Sequence, residues 1–370
     1  MFYIKYFFEL IGLRVSKLRS SSLRVTEKEF LPSVDSHIVA RIFKFYGVIA
    51  PFYDEYIKPQ LAIGGAWKED LKNRRQNQLD FIESGNKVAY GELLEGMLRN
   101  ELVSGQWSMG YYAKEKIGNP VPQEFLANLD SFKNLTSLET LKDLDDGDFG
   151  GKWGACVDGN HLTFFDPYKG VNAFNIANIL NSSGKSVNVL LDLGPGIGSD
   201  AIKVSKLVNS PTLFILMDIP LNLTTAFAYV SMNTGYDCDL IDSEDELSEL
   251  LVNAINDHKF IFVPTKFVEV VANQIETVDL LFNHGSFSEM DQHTVSFYLD
   301  TLLAKGPVVS MFEINSNSAI ENTGGHIEVP SSQFKIPPNF DLIMRVPTIN
   351  NEFGHRYVQS FYRRRDFFVD

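Results

Sequence analysis

The chain has 370 residues, of which 44% are hydrophobic and 22% are charged, and its formal net charge is −14. This length favours about two domains, and the composition is that of an ordinary globular protein. The two cysteines, Cys156 and Cys238, exclude a disulfide framework, and we expect a cytoplasmic location. After Val187, 24 acidic residues outnumber 11 basic ones. Such a domain repels a phosphate backbone, so we expect no nucleic-acid partner.

The first residues, Met1 to Leu13, are mostly apolar. Because Lys5 and Glu9 interrupt them and no small-residue cleavage site follows, we expect a helix packed against the body rather than a secretory signal. A helix lying on a membrane surface is the alternative. No stretch reaches the roughly 18 uninterrupted apolar residues of a membrane-spanning helix, so we expect no transmembrane segment.

From about Pro32 to Trp107, apolar residues recur at spacings near three and four, which is typical of amphipathic helices. A connector with one short helix is expected between Gly118 and Gly151, where glycine, proline and polar residues are frequent. We therefore predict a mainly helical N-terminal cap or substrate domain over residues 1–150.

After Gly151 the pattern changes to short β-rich runs that alternate with helical ones. A short strand at His161–Phe165 and a helix at Gly170–Leu180 come first. Seven further strands are predicted at Val187–Leu193, Thr212–Asp218, Phe260–Val263, Asp279–Asn283, Val308–Ile314, Leu342–Arg345 and Tyr357–Tyr362. Strands separated by helices in this way predict βαβ units on a mostly parallel sheet. Residues 151–370 are therefore predicted to form a Rossmann-like α/β domain.

A glycine-rich loop follows the first of these strands, where Gly194, Gly196 and Gly198 let the backbone turn and approach a ligand closely. A dinucleotide site requires the spacing G-x-G-x-x-G, whereas the spacing here is G-x-G-x-G. Asp192, just before the loop, would repel a pyrophosphate but suits the cationic amino-acid end of S-adenosylmethionine. The loop therefore indicates S-adenosylmethionine rather than NAD.

Asp218 ends the next predicted strand. A carboxylate at the tip of that strand can accept hydrogen bonds from both hydroxyls of a ribose. We therefore expect Asp218 to bind the ribose of the cofactor.

The D-x-G-x-G-x-G segment resembles the first motif of the class I S-adenosylmethionine-dependent methyltransferases, and the resemblance covers about Gly151 to Tyr362. The segment D-L-L-F-N-H-G-S-F-S-E-M, Asp279 to Met290, is similar to the N-x-x-S-F-x-E-M signature of the sugar O-methyltransferase family associated with bacterial surface-glycan biosynthesis. D-I-P-L-N-L at 218–223 and the C-terminal F-Y-R-R-R are also similar to that family. The resemblance implies a class I methyltransferase sheet, S-adenosyl-L-methionine as cofactor, and an acceptor hydroxyl on a nucleotide sugar or glycan.

The resemblance also implies roles for individual residues. The methionine end of the cofactor would contact Asp192, Gly194, Gly196 and Gly198, and the ribose would contact Asp218. Asn283, which we also expect beside the cofactor, would lie with Ser286 and Glu289 at the mouth of the sheet, where the acceptor enters.

Transfer of a methyl group to a hydroxyl requires alignment of the two reactants and a base that removes the hydroxyl proton. Glu289 and His284 are the candidate bases, with Asn283 as a third candidate catalytic residue. Histidine has a suitable pKa near neutral pH, whereas the pKa of a glutamate would have to be raised by burial. His326, His355 or a residue of the helical cap are the alternatives.

A divalent-cation site requires clustered carboxylates. The strand that carries the signature ends in Asn283 rather than in an acidic residue, so we expect no metal. Two other functions stay open at this point. One is a methyltransferase that acts on another small molecule, such as a polyketide or an amine, and the other is a non-catalytic S-adenosylmethionine-binding module. The sequence does not fix the acceptor, the methylated position or the oligomeric state, and a homo-oligomer is among the options.

Overall fold

The computed structural model describes residues 23–27, 32–55, 75–100, 102, 117–136, 141–252, 256–319, 321, 327–348 and 357–367. The apolar segment Met1–Leu13 and two of the candidate bases, His326 and His355, lie outside the described residues.

The described N-terminal part is mainly helical, as its apolar spacing indicates. Its helices are α1 (Ser36–Glu55), α2 (Gln76–Glu83), α3 (Lys87–Glu95) and α4 (Gln123–Thr136). The side chain of Asn86 accepts a hydrogen bond from the Ala89 amide at 3.1 Å and so caps the start of α3. The connector contains α4, which is longer than the short helix that we expected there.

A small antiparallel sheet joins the two halves of the sequence. Strand β1 (Val25–Glu27) pairs with β2 (Trp153–Val157), which pairs with β3 (Asn160–Leu162). The sequence predicts β3 in part but gives no sign of β1. The division at residue 150 stays a prediction, since this sheet crosses it.

A larger sheet forms the centre of the described chain. Its strands are β4 (Asn188–Leu193), β5 (Thr212–Asp218), β6 (Asp237–Leu240), β7 (Lys259–Pro264), β8 (Leu280–His284), β9 (Ser310–Ser316), β10 (Phe340–Pro347) and β11 (Tyr357–Arg364). Their spatial order is β10-β11-β9-β8-β4-β5-β7-β6. Strand β11 runs antiparallel to both of its neighbours, and the other pairings in this sheet are parallel.

Helices connect these strands. They are α5 (Asp166–Asn181), α6 (Ser199–Ser205), α7 (Pro220–Asn233), α8 (Glu244–Val252), α9 (Val268–Gln274), α10 (Ser286–Glu289) and α11 (Gln292–Leu299). The prediction of a Rossmann-like α/β fold on a mostly parallel sheet is confirmed. All seven predicted strands of this sheet are present, and the sequence missed only the edge strand β6. Central strands such as β4 and β5 have continuous apolar runs, Leu190–Leu191 and Leu213–Met217, because both of their faces are covered.

Helices α1, α2 and α3 share one apolar cluster with the central sheet, to which α1 contributes Ile42 and Phe45, whereas α4 packs in a second cluster with the small sheet. Polar contacts add to this packing. The Gln78 amide donates a hydrogen bond to the Leu221 carbonyl oxygen at 3.4 Å, and the Tyr90 and Thr224 hydroxyls lie 2.8 Å apart. These contacts place α2 and α3 against the first turns of α7, which directly follow the carboxyl end of β5.

Among the helices that the structure describes, none combines the length and the apolar character that a membrane span requires.

Candidate functional site

The candidate site lies where the strand order reverses. From β4 the chain continues to β5 on one side, whereas β8 lies on the other side. Ligands of open α/β sheets bind at the carboxyl ends of the strands at such a point. The glycine loop leaves β4 there. Gly194 has φ +77°, and a Cβ atom on it would lie 2.1 Å from the Ser286 hydroxyl, so both its backbone conformation and its surroundings require glycine.

Asn283 supports this loop from the end of β8. Its buried amide nitrogen donates hydrogen bonds to the Leu193 carbonyl oxygen at 2.6 Å and to the Ser286 hydroxyl at 2.9 Å. Its amide oxygen accepts from the Phe287 backbone amide at 3.2 Å and from the Asn315 side chain at 2.9 Å. Since protein partners engage both ends of the amide, the geometry gives Asn283 a supporting role. Direct contact with a cofactor stays a prediction.

Asp192, the penultimate residue of β4, has a buried carboxyl group near this edge of the sheet. It is 1% exposed, and its Oδ1 atom has no hydrogen-bond partner among the residues that the structure describes. Burial raises the pKa of Asp192 well above its ordinary value, and the nearby Asp200 carboxylate raises it further, while Lys169 opposes this effect. A buried carboxyl without partners is costly. The position therefore favours a ligand that brings a cation or hydrogen-bond donors.

Asp218 ends β5, as predicted, beside the glycine loop. Its Oδ1 atom accepts hydrogen bonds from the Ile219 backbone amide at 2.7 Å and from the Asn222 side chain at 3.1 Å. Burial raises the pKa of Asp218 to about 7, although these hydrogen bonds and the Arg75 guanidinium oppose the increase. Because both bonds use Oδ1, the second carboxyl oxygen is left for a ligand.

His284 lies at the end of β8, and its side chain is 19% exposed. Its Nε2 atom is 3.1 Å from the Tyr168 hydroxyl, and its Nδ1 atom is 3.6 Å from Oδ2 of Asp200. The Lys169 ammonium lies 3.5 Å from the same Asp200 oxygen. Burial alone would raise the pKa of Asp200, but Lys169 and His284 outweigh burial and hold it well below its ordinary value. The site therefore contains an ionised carboxylate directed at an imidazole.

Sequence reasoning missed the role of Asp200 and did not place Tyr168 beside His284. Asp200 could have been noticed as an acid two residues after Gly198, at the start of the helix that follows the loop. Nothing in the sequence indicates that it meets His284, because the two residues belong to separate elements.

Glu289 is the last residue of the short helix α10, and it is partly exposed. Its role as the base stays a prediction. In the described part of the chain, no group of three or more His, Cys, Asp or Glu side chains is placed to hold a metal ion.

A buried ionic cluster anchors the helix that follows the glycine loop. The Lys203 ammonium lies 2.5 Å from Asp146 and 2.9 Å from Asp166, and Asp146 also accepts a hydrogen bond from the Ser199 hydroxyl at 2.6 Å. Burial lowers the pKa of Lys203, but the two carboxylates outweigh burial and raise it. The cluster fixes α6 to α5 and to the segment that precedes β2. The sequence pattern gave no indication of this cluster.

No family model matches the sequence, and no curated protein matches it. Among solved structures, the mitomycin 7-O-methyltransferase MmcR is similar at 14% identity and a TM-score of 0.34, over 54% of this chain and 55% of that chain. A SAM-dependent methyltransferase from Leishmania major is 14% identical at a TM-score of 0.33, over 68% of this chain and 85% of that one.

The plantazolicin methyltransferase BpumL, solved in complex with SAH, is 12% identical at a TM-score of 0.34, over 54% of this chain and 86% of that chain. This chain therefore spans little more than half the length of the first of these structures. TM-scores this low carry no argument about the activity of this chain.

Proposed function

We propose that this protein is an S-adenosylmethionine-dependent methyltransferase that transfers the methyl group to a hydroxyl of a small acceptor. The observation that carries the proposal is the pair of carboxyl groups, buried Asp192 and part-buried Asp218, on adjacent parallel strands beside the Gly194–Gly198 loop. The Asp192 carboxyl suits the cationic amino-acid end of the cofactor. The second oxygen of Asp218 suits its ribose hydroxyls.

Different residues of the site have different roles in the proposed reaction. When bound, the cofactor supplies a methyl group that its sulfonium already activates. Gly194 and its neighbours let the backbone approach the methionine end, and Asn283 keeps the loop in place through the Leu193 carbonyl oxygen. His284 at the end of β8 or Glu289 at the end of α10 removes the proton of the acceptor hydroxyl, which is the usual task of a general base.

We propose a sugar as the acceptor, on a nucleotide or in a glycan. The similarity of Asp279–Met290 to the signature of the sugar O-methyltransferase family supports this proposal. The excess of acidic residues after Val187 supports a small acceptor over a nucleic acid. We further propose that the N-terminal helices contribute to the acceptor site. Their contacts to the first turns of α7 and to the Leu240 carbonyl oxygen at the end of β6 bring them to the carboxyl edge of the sheet.

Calorimetry with S-adenosylmethionine, S-adenosylhomocysteine and NAD tests the cofactor. We expect micromolar binding of the first two and none of NAD, and the opposite preference would overturn the proposal. A screen with methyl-labelled cofactor and a panel of UDP-, GDP- and dTDP-sugars, with phenols and amines alongside, tests the acceptor. Transfer to a phenol or an amine but to no sugar would contradict the sugar proposal. Binding without transfer to any of them would favour a non-catalytic module.

A further inference from the structure

The His284 imidazole has a partner at each ring nitrogen. The Asp200 carboxylate faces Nδ1 from α6, and the Tyr168 hydroxyl faces Nε2 from α5. The Tyr168 and His284 rings also pack edge to face, with centroids 5.5 Å apart. Three elements therefore fix the orientation of one imidazole, beside the glycine loop where ligands of such sheets bind.

The Asp200 carboxylate selects one tautomer, and the Tyr168 hydroxyl, which can donate or accept, is compatible with it. An ionised carboxylate only accepts hydrogen bonds, so the nitrogen that faces Asp200 must carry the proton. A neutral imidazole then has its lone pair on Nε2, where the Tyr168 hydroxyl donates to it. The Lys169 ammonium, 3.5 Å from Asp200, favours the ionised form of that carboxylate and strengthens this selection.

We propose that Asp200 is a positioning residue that holds His284 with its proton on Nδ1 and its lone pair on Nε2, ready to accept the proton of the acceptor hydroxyl, and that the Tyr168 hydroxyl occupies Nε2 only until the acceptor binds. This inference rests on the methyl transfer proposed above. It favours His284 over Glu289 as the base.

In the absence of an acceptor, the Tyr168 hydroxyl occupies the hydrogen-bonding position at Nε2 of His284. It is the partner of Nε2 until an acceptor hydroxyl takes its place there. The Tyr168 side chain is buried, whereas His284 is partly exposed and within reach of an incoming acceptor.

The proposed step conserves atoms and charge. The acceptor hydroxyl loses its proton to Nε2 while its oxygen forms the bond to the methyl carbon, and the electron pair of the broken carbon–sulfur bond stays on sulfur. The resulting imidazolium is stabilised by the Asp200 carboxylate. It then releases its proton to solvent through the exposed side of the ring.

Nitrogen NMR of the full chain labelled in its histidines tests the tautomer without any acceptor. We expect the His284 signals, identified by their loss in His284→Gln, to show a protonated Nδ1 and an unprotonated Nε2 in the neutral form, with and without S-adenosylhomocysteine. Asp200→Asn should shift His284 towards the Nε2-protonated tautomer, whereas Tyr168→Phe should preserve the original one. An Nε2-protonated His284 in the unaltered protein would overturn the inference.

Turnover provides the second test, with the acceptor that the sugar panel identifies. Asp200→Asn should lower kcat by about 10²–10⁴-fold, the contribution of a correctly oriented base, with little change in S-adenosylmethionine affinity. Asp200→Glu should recover part of the rate because it restores a carboxylate, and Tyr168→Phe should keep most of it. A wild-type kcat in Asp200→Asn, or a loss in Tyr168→Phe as large as in His284→Gln, would contradict the inference.

Asp279→Asn is the matched control. Asp279 is also a buried carboxylate paired with a lysine, with 2.6 Å to the Lys185 ammonium, but it lies just before β8, at the opposite end of that strand from His284. Its replacement should leave the His284 tautomer and kcat unchanged. Absence of S-adenosylhomocysteine binding in the unaltered protein would reject the proposed function. The NMR experiment would then still test whether Asp200 fixes the tautomer of His284.

Discussion

The amide nitrogen of Asn283 lies 2.6 Å from the carbonyl oxygen of Leu193, so the last residue of β4 is fixed by a side chain of β8. Leu193 immediately precedes Gly194, and the start of the glycine loop is therefore held from the neighbouring strand. The asparagine of the signature thus has a structural task as well as its proposed place beside the acceptor.

Replacement of Asn283 by alanine should weaken both the fold and the site. It removes donors and acceptors from four buried partners, and each group left unsatisfied costs about 1–3 kcal/mol. We expect a clear loss in the free energy of unfolding, measured in urea, together with weaker S-adenosylmethionine binding. Asn160→Ala is the control, because the Asn160 side chain donates an exposed hydrogen bond to the Asp158 carbonyl oxygen, and alanine leaves the backbone pairing of β3 unchanged. Equal stability of the two variants would contradict the supporting role of Asn283.

Alanine at Gly194 should be far more harmful than alanine at Gly184. Both glycines have positive φ, at +77° and +66°, so both variants bear the same backbone strain of about 1–3 kcal/mol. Only Gly194→Ala places a Cβ against the Ser286 hydroxyl, since nothing lies within 4 Å of a Cβ at Gly184. Unfolding in urea and calorimetry with S-adenosylhomocysteine should separate the two. Similar losses in both variants would show that the contact with Ser286 is unimportant.

Asp218 should make cofactor affinity depend on pH. Its carboxyl is protonated below pH 7 because burial raises its pKa to about 7, whereas hydrogen bonds from ribose hydroxyls favour the ionised form. S-adenosylmethionine should therefore bind more tightly as pH rises through 7, by at most about tenfold per unit below that value. Calorimetry from acid to mildly alkaline pH measures this dependence. The same slope in Asp218→Asn would assign it to another group.

A rise in pH should lower the free energy of unfolding through Asp218, although it raises the cofactor affinity through the same carboxyl group. Between its ordinary value of 3.8 and about 7, the folded protein holds a proton on Asp218 that the unfolded chain has released. The contribution of Asp218 to the free energy of unfolding therefore falls as pH rises through this window and is level above it. Asp218→Asn should flatten that part of the ligand-free stability curve. A curve that keeps its slope in the variant would exclude Asp218 as the source.

Lys203 should be among the most sensitive positions for stability. Lys203→Met leaves Asp146 and Asp166 buried without their shared cation, and breaking a buried pair in this way costs about 3–5 kcal/mol. Lys305→Met is the control, because Lys305 and its partner Asp300 are both exposed and such pairs contribute little to stability. Urea unfolding compares the two variants. A loss in Lys203→Met no larger than in the control would refute the anchoring role of the cluster.

The sequence predicted best those features that depend on residues close to one another along the chain. The buried strands, the glycine loop and the acids Asp192 and Asp218 follow from local runs and short spacings. Strand β6 was missed because D-C-D-L is short, polar and partly exposed at the edge of the sheet. Strand β1 was missed because it has three residues and its partner β2 lies far along the chain.

The contacts around His284 could not be predicted for a related reason. Tyr168, Asp200 and His284 come from α5, α6 and β8, and only the sheet order brings them together. Asn283 was predicted as a site residue, but its four hydrogen bonds depend on the relative placement of β4, β8 and β9. The spacing of residues along the chain does not indicate distances between residues of separate elements.

The ion pair between Asp146 and Lys203 limits where this chain can be joined to part of another protein in a chimera. A chimera joined at Gly151 would replace Asp146 with a foreign residue while retaining Lys203, and a lysine buried without that carboxylate would disturb α6 and the loop before it. A junction placed ahead of Asp145 keeps the whole ionic cluster in one parent. Exchange of the helices that precede it would then test the proposal that they contribute to the acceptor site.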